Sequence, residues 1–90
     1  LKNTYNIGLV TTASKKNTYD ILNYYKKLEL FDLILTSDDI KTPKPNPEGY
    51  LKAISYFKTK PEDTIIFEDS DVGIEAAKKT GSSVLIIDNF

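Results

Sequence analysis

The ninety residues contain no cysteine and no histidine. The first absence excludes a disulfide framework and a thiolate zinc site. The second removes the side chain most often used as general base and metal ligand near neutral pH. Any chemistry must rest on carboxylates, hydroxyls, lysines and backbone amides. Methionine is absent too, so no initiator is retained and the chain reads as a piece of a longer protein. No apolar run approaches the ~20 residues needed to span a bilayer, and no signal-peptide pattern opens the chain. The expectation is a cytoplasmic protein without membrane contact. With 12 basic and 13 acidic residues, the net charge of −1 gives no electrostatic footprint for nucleic acid or an acidic membrane.

What is present suffices for one small domain. Apolar residues make up 40% and aromatic residues 11%, and a chain this long buries somewhat over ~60% of the surface it exposes unfolded. Four short runs read as strands: NIGLV at 6–10, LILT at 33–36, TIIF at 64–67 and VLII at 84–87. They are continuously apolar rather than alternating, the pattern of strands buried on both faces. Ser14 can cap a helix over about 15–28, with Ile21, Leu22, Tyr25 and Leu28 on one face and Lys26 and Lys27 in its last turn. A polar, proline-rich connection over 37–47 precedes a helix capped by Asn46, with Pro47 first and Tyr50, Ile54 and Phe57 as its stripe. Ser70 and Asp71 offer cap oxygens to a third helix, in which Ile74, Ala77 and Lys78 lead to Gly81 just past its end. The order βαβαβαβ predicts an α/β fold, a parallel sheet with helices on both faces. Right-handed crossovers keep the strand C-termini on one edge.

Three features fall on that edge. Glu68 and Asp69 follow the third strand, a position where open α/β sheets place hard-cation or phosphate chemistry. Capping accounts for Asp69, Ser70 or Asp71, but not for Glu68, and neighbouring carboxylates repel unless something compensates them. A metal site and a helix cap both fit this stretch. Thr11 and Thr12 offer hydroxyls and amides to an anion at a turn entering a helix, though alone they read equally as caps. Lys44, held between Pro43 and Pro45, suits a phosphate as a point charge; a solvated lysine in a proline turn is the plainer reading. Convergence of hydroxyls, a cation and a carboxylate pair from three loops favours a site.

These stretches resemble a known family. VTTAS after a strand, KPNPEGY opening a helix, and IIFEDSDVGIEAAKKTG look like the second, third and fourth motifs of the haloacid dehalogenase-like superfamily. They come in the family's order, and the likeness is greatest to its β-phosphoglucomutase and phosphoglycolate phosphatase-like branch. The resemblance implies a Rossmann-like three-layer core and Mg²⁺-dependent chemistry on a small phosphorylated metabolite. Thr11, with the amide of Thr12, would hydrogen-bond the phosphoryl group, and Lys44 would pair with its oxygens and with the nucleophilic carboxylate. Asp69 would ligate Mg²⁺ directly, and Glu68 directly or through water. The acidic pair favours phosphoryl transfer over the family's metal-free dehalogenation.

The resemblance also implies what these residues do not supply. The family's first motif, a strand bearing the aspartate nucleophile and an aspartate acid/base, has no match here, nor has the cap that selects substrate. That strand would lie between those of Thr11 and Asp69, and its loss leaves two strand spacings, ~9.6 Å. Residues 1–90 therefore read as the C-terminal part of an incomplete core that needs an N-terminal segment, and alone they should be inactive. The expected function is that of a phosphatase acting through an aspartyl-phosphate. The rivals are a phosphomutase of the same family and a non-catalytic α/β fragment or interaction module. A receiver-type phosphorylation domain ranks last, because it places its acidic pair at the first strand.

Overall fold

In a computed structural model, which describes residues 5–86, four short parallel strands alternate with three helices. The strands are β1 (Gly8–Val10), β2 (Leu33–Leu35), β3 (Ile65–Glu68) and β4 (Ser83–Ile86); the helices are α1 (Lys15–Tyr24), α2 (Glu48–Tyr56) and α3 (Asp71–Lys78). This is the expected order and class. The strands form two parallel pairs rather than one sheet, β1 with β2 and β3 with β4. The chain divides correspondingly into two compact units, Leu1–Lys41 and Thr42–Phe90.

In the first unit the ladder matches Gly8 with Leu33 and Val10 with Leu35, and the Thr11 amide extends it by donating to the Leu35 carbonyl. Ser14 caps α1 as expected, its hydroxyl accepting from the Asn17 amide. The helix stops at Tyr24, short of the expected end near residue 28. Lys26 takes a left-handed φ of 55°. Lys27 then donates to the Leu22 carbonyl and Lys26 to that of Asn23, the paired bonds of a Schellman terminus. Lys26 and Lys27 thus lie past the helix, and Ile21 and Tyr25 of the expected apolar face are exposed. The connection after β2 begins with a 3-10 turn, Ser37–Asp39. Thr36, 1% exposed, caps this turn in reciprocal bonds with Asp39.

The second unit holds the buried apolar residues among those described: Tyr50, Ile54, Ile66, Ala76 and Ala77. Tyr50 and Ile54 are the inward stripe of α2, and Ala76 and Ala77 let α3 lie close against its neighbours. Helix α2 starts one residue later than expected, at Glu48, with Pro47 rather than Asn46 in the capping position; the Asn46 side chain still accepts from the Glu48 amide. Helix α2 ends as α1 does, with Lys58 at φ 53° and Thr59 donating to the Ile54 carbonyl. Ser70 caps α3 through the Gly73 amide, and the helix closes at Lys78, before Gly81. Gly81, at φ 84°, turns the chain toward β4.

Strand β3 departs from the sequence reading. Ile66 and Glu68 are buried, but Ile65 and Phe67 are 62% and 59% exposed. Phe67 lies opposite Leu85 in the β3–β4 register, and Leu85 is exposed as well. Successive strand residues face opposite sides, so one side of this pair is covered and the other is bare among the described residues. The apolar run reports what the strand can bury, which is more than this chain covers. Ile87, expected in the last strand, lies outside the described residues.

Candidate active site

The four residues of β3 end on Glu68, which is only 8% exposed. A carboxylate so placed needs partners for both oxygens. Its Oε2 receives the Lys44 ammonium at 3.0 Å and the Tyr50 hydroxyl. Its Oε1 receives the amide of Asp69 at 3.0 Å, with the amide and hydroxyl of Ser70 at 3.4 Å. Burial alone would push the carboxyl pKa up. The Tyr50 hydroxyl, the Lys44 ammonium and the Asp69 amide together outweigh it and lower the pKa from 4.5 to about 2. The Tyr50 hydroxyl is pushed up, by burial first and then by its bond to Glu68.

Lys44 leaves the irregular connection before α2, and its Nζ stands 5.0 Å from the centre of the Tyr50 ring. Tyr50 lies two residues into α2 and Gly73 two residues into α3. Space at Gly73 is taken by Glu68: a β-carbon there would meet Oε2 at 2.2 Å. Asp69, by contrast, is exposed, and its side chain accepts no hydrogen bond among the described residues. The structure therefore brings Lys44, Glu68 and Asp69 to the C-terminal end of β3 in one unit.

Thr11 and Thr12 belong to the other unit, at the C-terminal end of β1. The Thr11 hydroxyl accepts from the Ala13 amide at 3.1 Å, which leaves its own proton to donate. Two of α1's first amides are already engaged, that of Asn17 by Ser14 and that of Lys15 by Asp38. The Thr12 amide donates to no acceptor among the described residues, so it and the Thr11 hydroxyl are among the donors this turn offers an anion.

Two participants were missed in the sequence. Tyr50 closes the KPNPEGY stretch and otherwise reads as core, and nothing in one sequence links it to a carboxylate 18 positions away. Gly73 falls within IIFEDSDVGIEAAKKTG, and its signal is a glycine in the first turn of a helix whose cap Ser70 already supplies.

No group of three or more potential metal-ligating side chains occurs among the described residues. The pair nevertheless fits Mg²⁺, which is usually held by one or two carboxylates together with waters and phosphate oxygens. Asp69 is the carboxylate with lone pairs to give. Glu68, its oxygens engaged by five donors, suits contact through water.

A model of the family described as haloacid dehalogenase-like hydrolase matches residues 1–87. The chain belongs to the haloacid dehalogenase-like hydrolases. Validoxylamine A 7′-phosphate phosphatase of Streptomyces hygroscopicus subsp. limoneus is 39% identical to it over 83% of this chain and 35% of the relative. Pyrophosphatase PpaX of Bacillus mycoides is 31% identical over 96% of this chain and 40% of that protein. Among solved structures, CbbY of Rhodobacter sphaeroides in complex with phosphate superimposes with a TM-score of 0.89 at 27% identity, covering 99% of this chain and 41% of that one. A subfamily IA hydrolase of Geobacter sulfurreducens gives 0.84 at 25% identity over 90% of this chain and 42% of that one. The curated relatives are phosphatases, and the chain spans roughly 35–40% of their length. No helix of the described residues is long and apolar enough to cross a membrane.

Proposed function

We propose that these residues are the C-terminal part of the core of a Mg²⁺-dependent cytoplasmic phosphatase that hydrolyses a monoester of a small phosphorylated metabolite. The observation that carries the proposal is the Lys44–Glu68 pair, with Asp69 exposed beside it, at the C-terminal end of β3 in a chain of this family. In-line phosphoryl transfer is mostly positioning and charge neutralisation, and these residue types supply both.

The reaction moves the phosphoryl group from the substrate's ester oxygen to an aspartate, then to water, releasing the alcohol and inorganic phosphate. The aspartate nucleophile and its acid/base partner come from a preceding segment of the protein, as does the cap. Within this chain, Thr11 donates its hydroxyl proton, and Thr12 its amide, to phosphoryl oxygens. Lys44 neutralises charge on the phosphoryl group and on the nucleophile. Asp69 would hold Mg²⁺ directly and Glu68 through water; the ion, when bound, supplies further neutralisation of phosphoryl charge. Hydrolysis ranks ahead of phosphomutase chemistry because the curated relatives named here are phosphatases.

The test is hydrolysis of an aryl phosphate by the full-length protein, with and without Mg²⁺. Turnover that needs the metal and disappears in Asp69→Asn supports the proposal. A full-length protein with no turnover on any of a panel of phosphate monoesters would return the chain to the non-catalytic alternative.

A further inference from the structure

Tyr50 is engaged at both ends of one ion pair. Its hydroxyl donates to Oε2 of Glu68, and its ring centre lies 5.0 Å from the Lys44 ammonium. That ammonium stands 3.0 Å from the same Oε2. We infer that Tyr50 is the positioning residue of this site, fixing the Lys44 ammonium through its ring and the Glu68 carboxylate beneath it through its hydroxyl. The inference rests on the phosphatase reading for its consequence, and on geometry for its content.

Packing does not require the hydroxyl. Tyr50 is 8% exposed in the stripe it shares with Ile54, where phenylalanine would fill the same volume. A buried phenol needs an acceptor, and the acceptor here is the carboxylate that also holds the lysine. Lys44 needs outside help because it stands outside any helix or strand and carries its charge on a flexible four-carbon stem. A cation stabilises a phosphoryl transition state best when it is in place beforehand. The ring gives it an attractive surface, while the hydroxyl and the Asp69 amide hold opposite oxygens of the carboxylate. The ammonium is thereby aimed from the rigid elements β3 and α2.

The test compares Tyr50→Phe and Tyr50→Leu with the wild type in the full-length protein. Tyr50→Phe keeps the ring and should lower kcat about tenfold while KM stays within about twofold; Tyr50→Leu should lower it further. The second readout is the ¹H–¹⁵N signal of the Lys44 side-chain ammonium, assigned by its loss in Lys44→Arg. An ordered ammonium should give a resolved signal in the wild type, broadened in Tyr50→Phe and lost in Tyr50→Leu. Variants that melt earlier but keep both kcat and this signal would overturn the inference and make Tyr50 a core residue only. A wild type without phosphatase activity defeats the functional reading instead; the ammonium signal then decides the role of Tyr50 alone. If Tyr50→Leu does not fold, Tyr50→Phe carries both readouts.

Discussion

A β-carbon on Gly73 would stand 2.0 Å from Cδ of Glu68, so the glycine is the seat of the carboxylate. The reason is space, because Gly73 lies in the ordinary right-handed turn of α3. Glycine inside a helix normally costs roughly 0.5–1 kcal/mol relative to alanine. Gly73→Ala should therefore stabilise α3 if the site did not matter. The expected outcome has the opposite sign: Glu68 is displaced, its bonds to Lys44 and Tyr50 are lost, and the melting temperature falls by several degrees. Thermal unfolding of Gly73→Ala beside Glu68→Gln checks this, and a rise in melting temperature would refute it.

The pKa of Glu68 ties stability to acid. Its folded value, about 2, lies below its ordinary 4.5, so the carboxylate contributes stability that is fully present above about pH 4.5. That contribution is lost as pH falls toward 2. Without metal, stability should be flat with respect to this group from neutral pH down to about 5, then decline. Denaturant unfolding at a series of pH values should show a decline that is shallower in Glu68→Gln.

The family resemblance gives Lys44 a role at the phosphoryl group. The structure assigns it to the fold as well, since removing it leaves a carboxylate that is 8% exposed without its cation. Lys44→Ala should lower kcat and kcat/KM together and also cost about 2–3 kcal/mol of stability. Combining it with Glu68→Gln should recover part of the stability and none of the activity. Chemical unfolding and steady-state kinetics on the single and double variants separate the two roles; full stability in Lys44→Ala would refute the structural one.

The neighbouring carboxylates should separate in the same way. Asp69→Asn is expected to abolish Mg²⁺-dependent turnover and weaken Mg²⁺ binding at least tenfold, with little change in melting temperature, because Asp69 is exposed. Glu68→Gln should be milder toward the metal and harsher toward the fold. Calorimetric Mg²⁺ titration of both variants in the full-length protein is the check, and equal metal affinities would refute the division.

Much of this arrangement was legible because it is local. Ser14 and Ser70 announce helix starts within three residues of the amides they accept from, and apolar runs mark each strand to within two residues at either end. The ends of α1 and α2 were not legible: lysines, Lys26 and Lys58, occupy the left-handed positions where glycine or asparagine would have been a signal. The bare side of β3 was hidden for another reason. Ile65 and Phe67 carry the composition of a strand covered on both faces, whereas their exposure depends on what else is present. The acidic pair showed itself as two adjacent letters, but the difference between braced Glu68 and exposed Asp69 comes from Tyr50 and Gly73, which only the fold brings together.

That bare side leads to the behaviour of the ninety residues made alone. Ile65 and Phe67 on β3, with Leu85 opposite Phe67, leave apolar surface exposed on one side of a two-stranded pair. A pair of strands also leaves edges unsatisfied, and such edges recruit other chains. The isolated chain should therefore associate at micromolar concentration, and Phe67→Lys should shift it toward smaller species in light scattering. It should show no phosphatase activity in either form. Donors, a lysine and carboxylates can bind phosphate weakly, but the covalent intermediate needs a nucleophile, and no residue here matches the family's. Mixing the chain with the N-terminal segment of its full-length protein should restore Mg²⁺-dependent hydrolysis of an aryl phosphate. Turnover by the purified chain alone, lost in Asp69→Asn, would show that a nucleophile lies within these ninety residues.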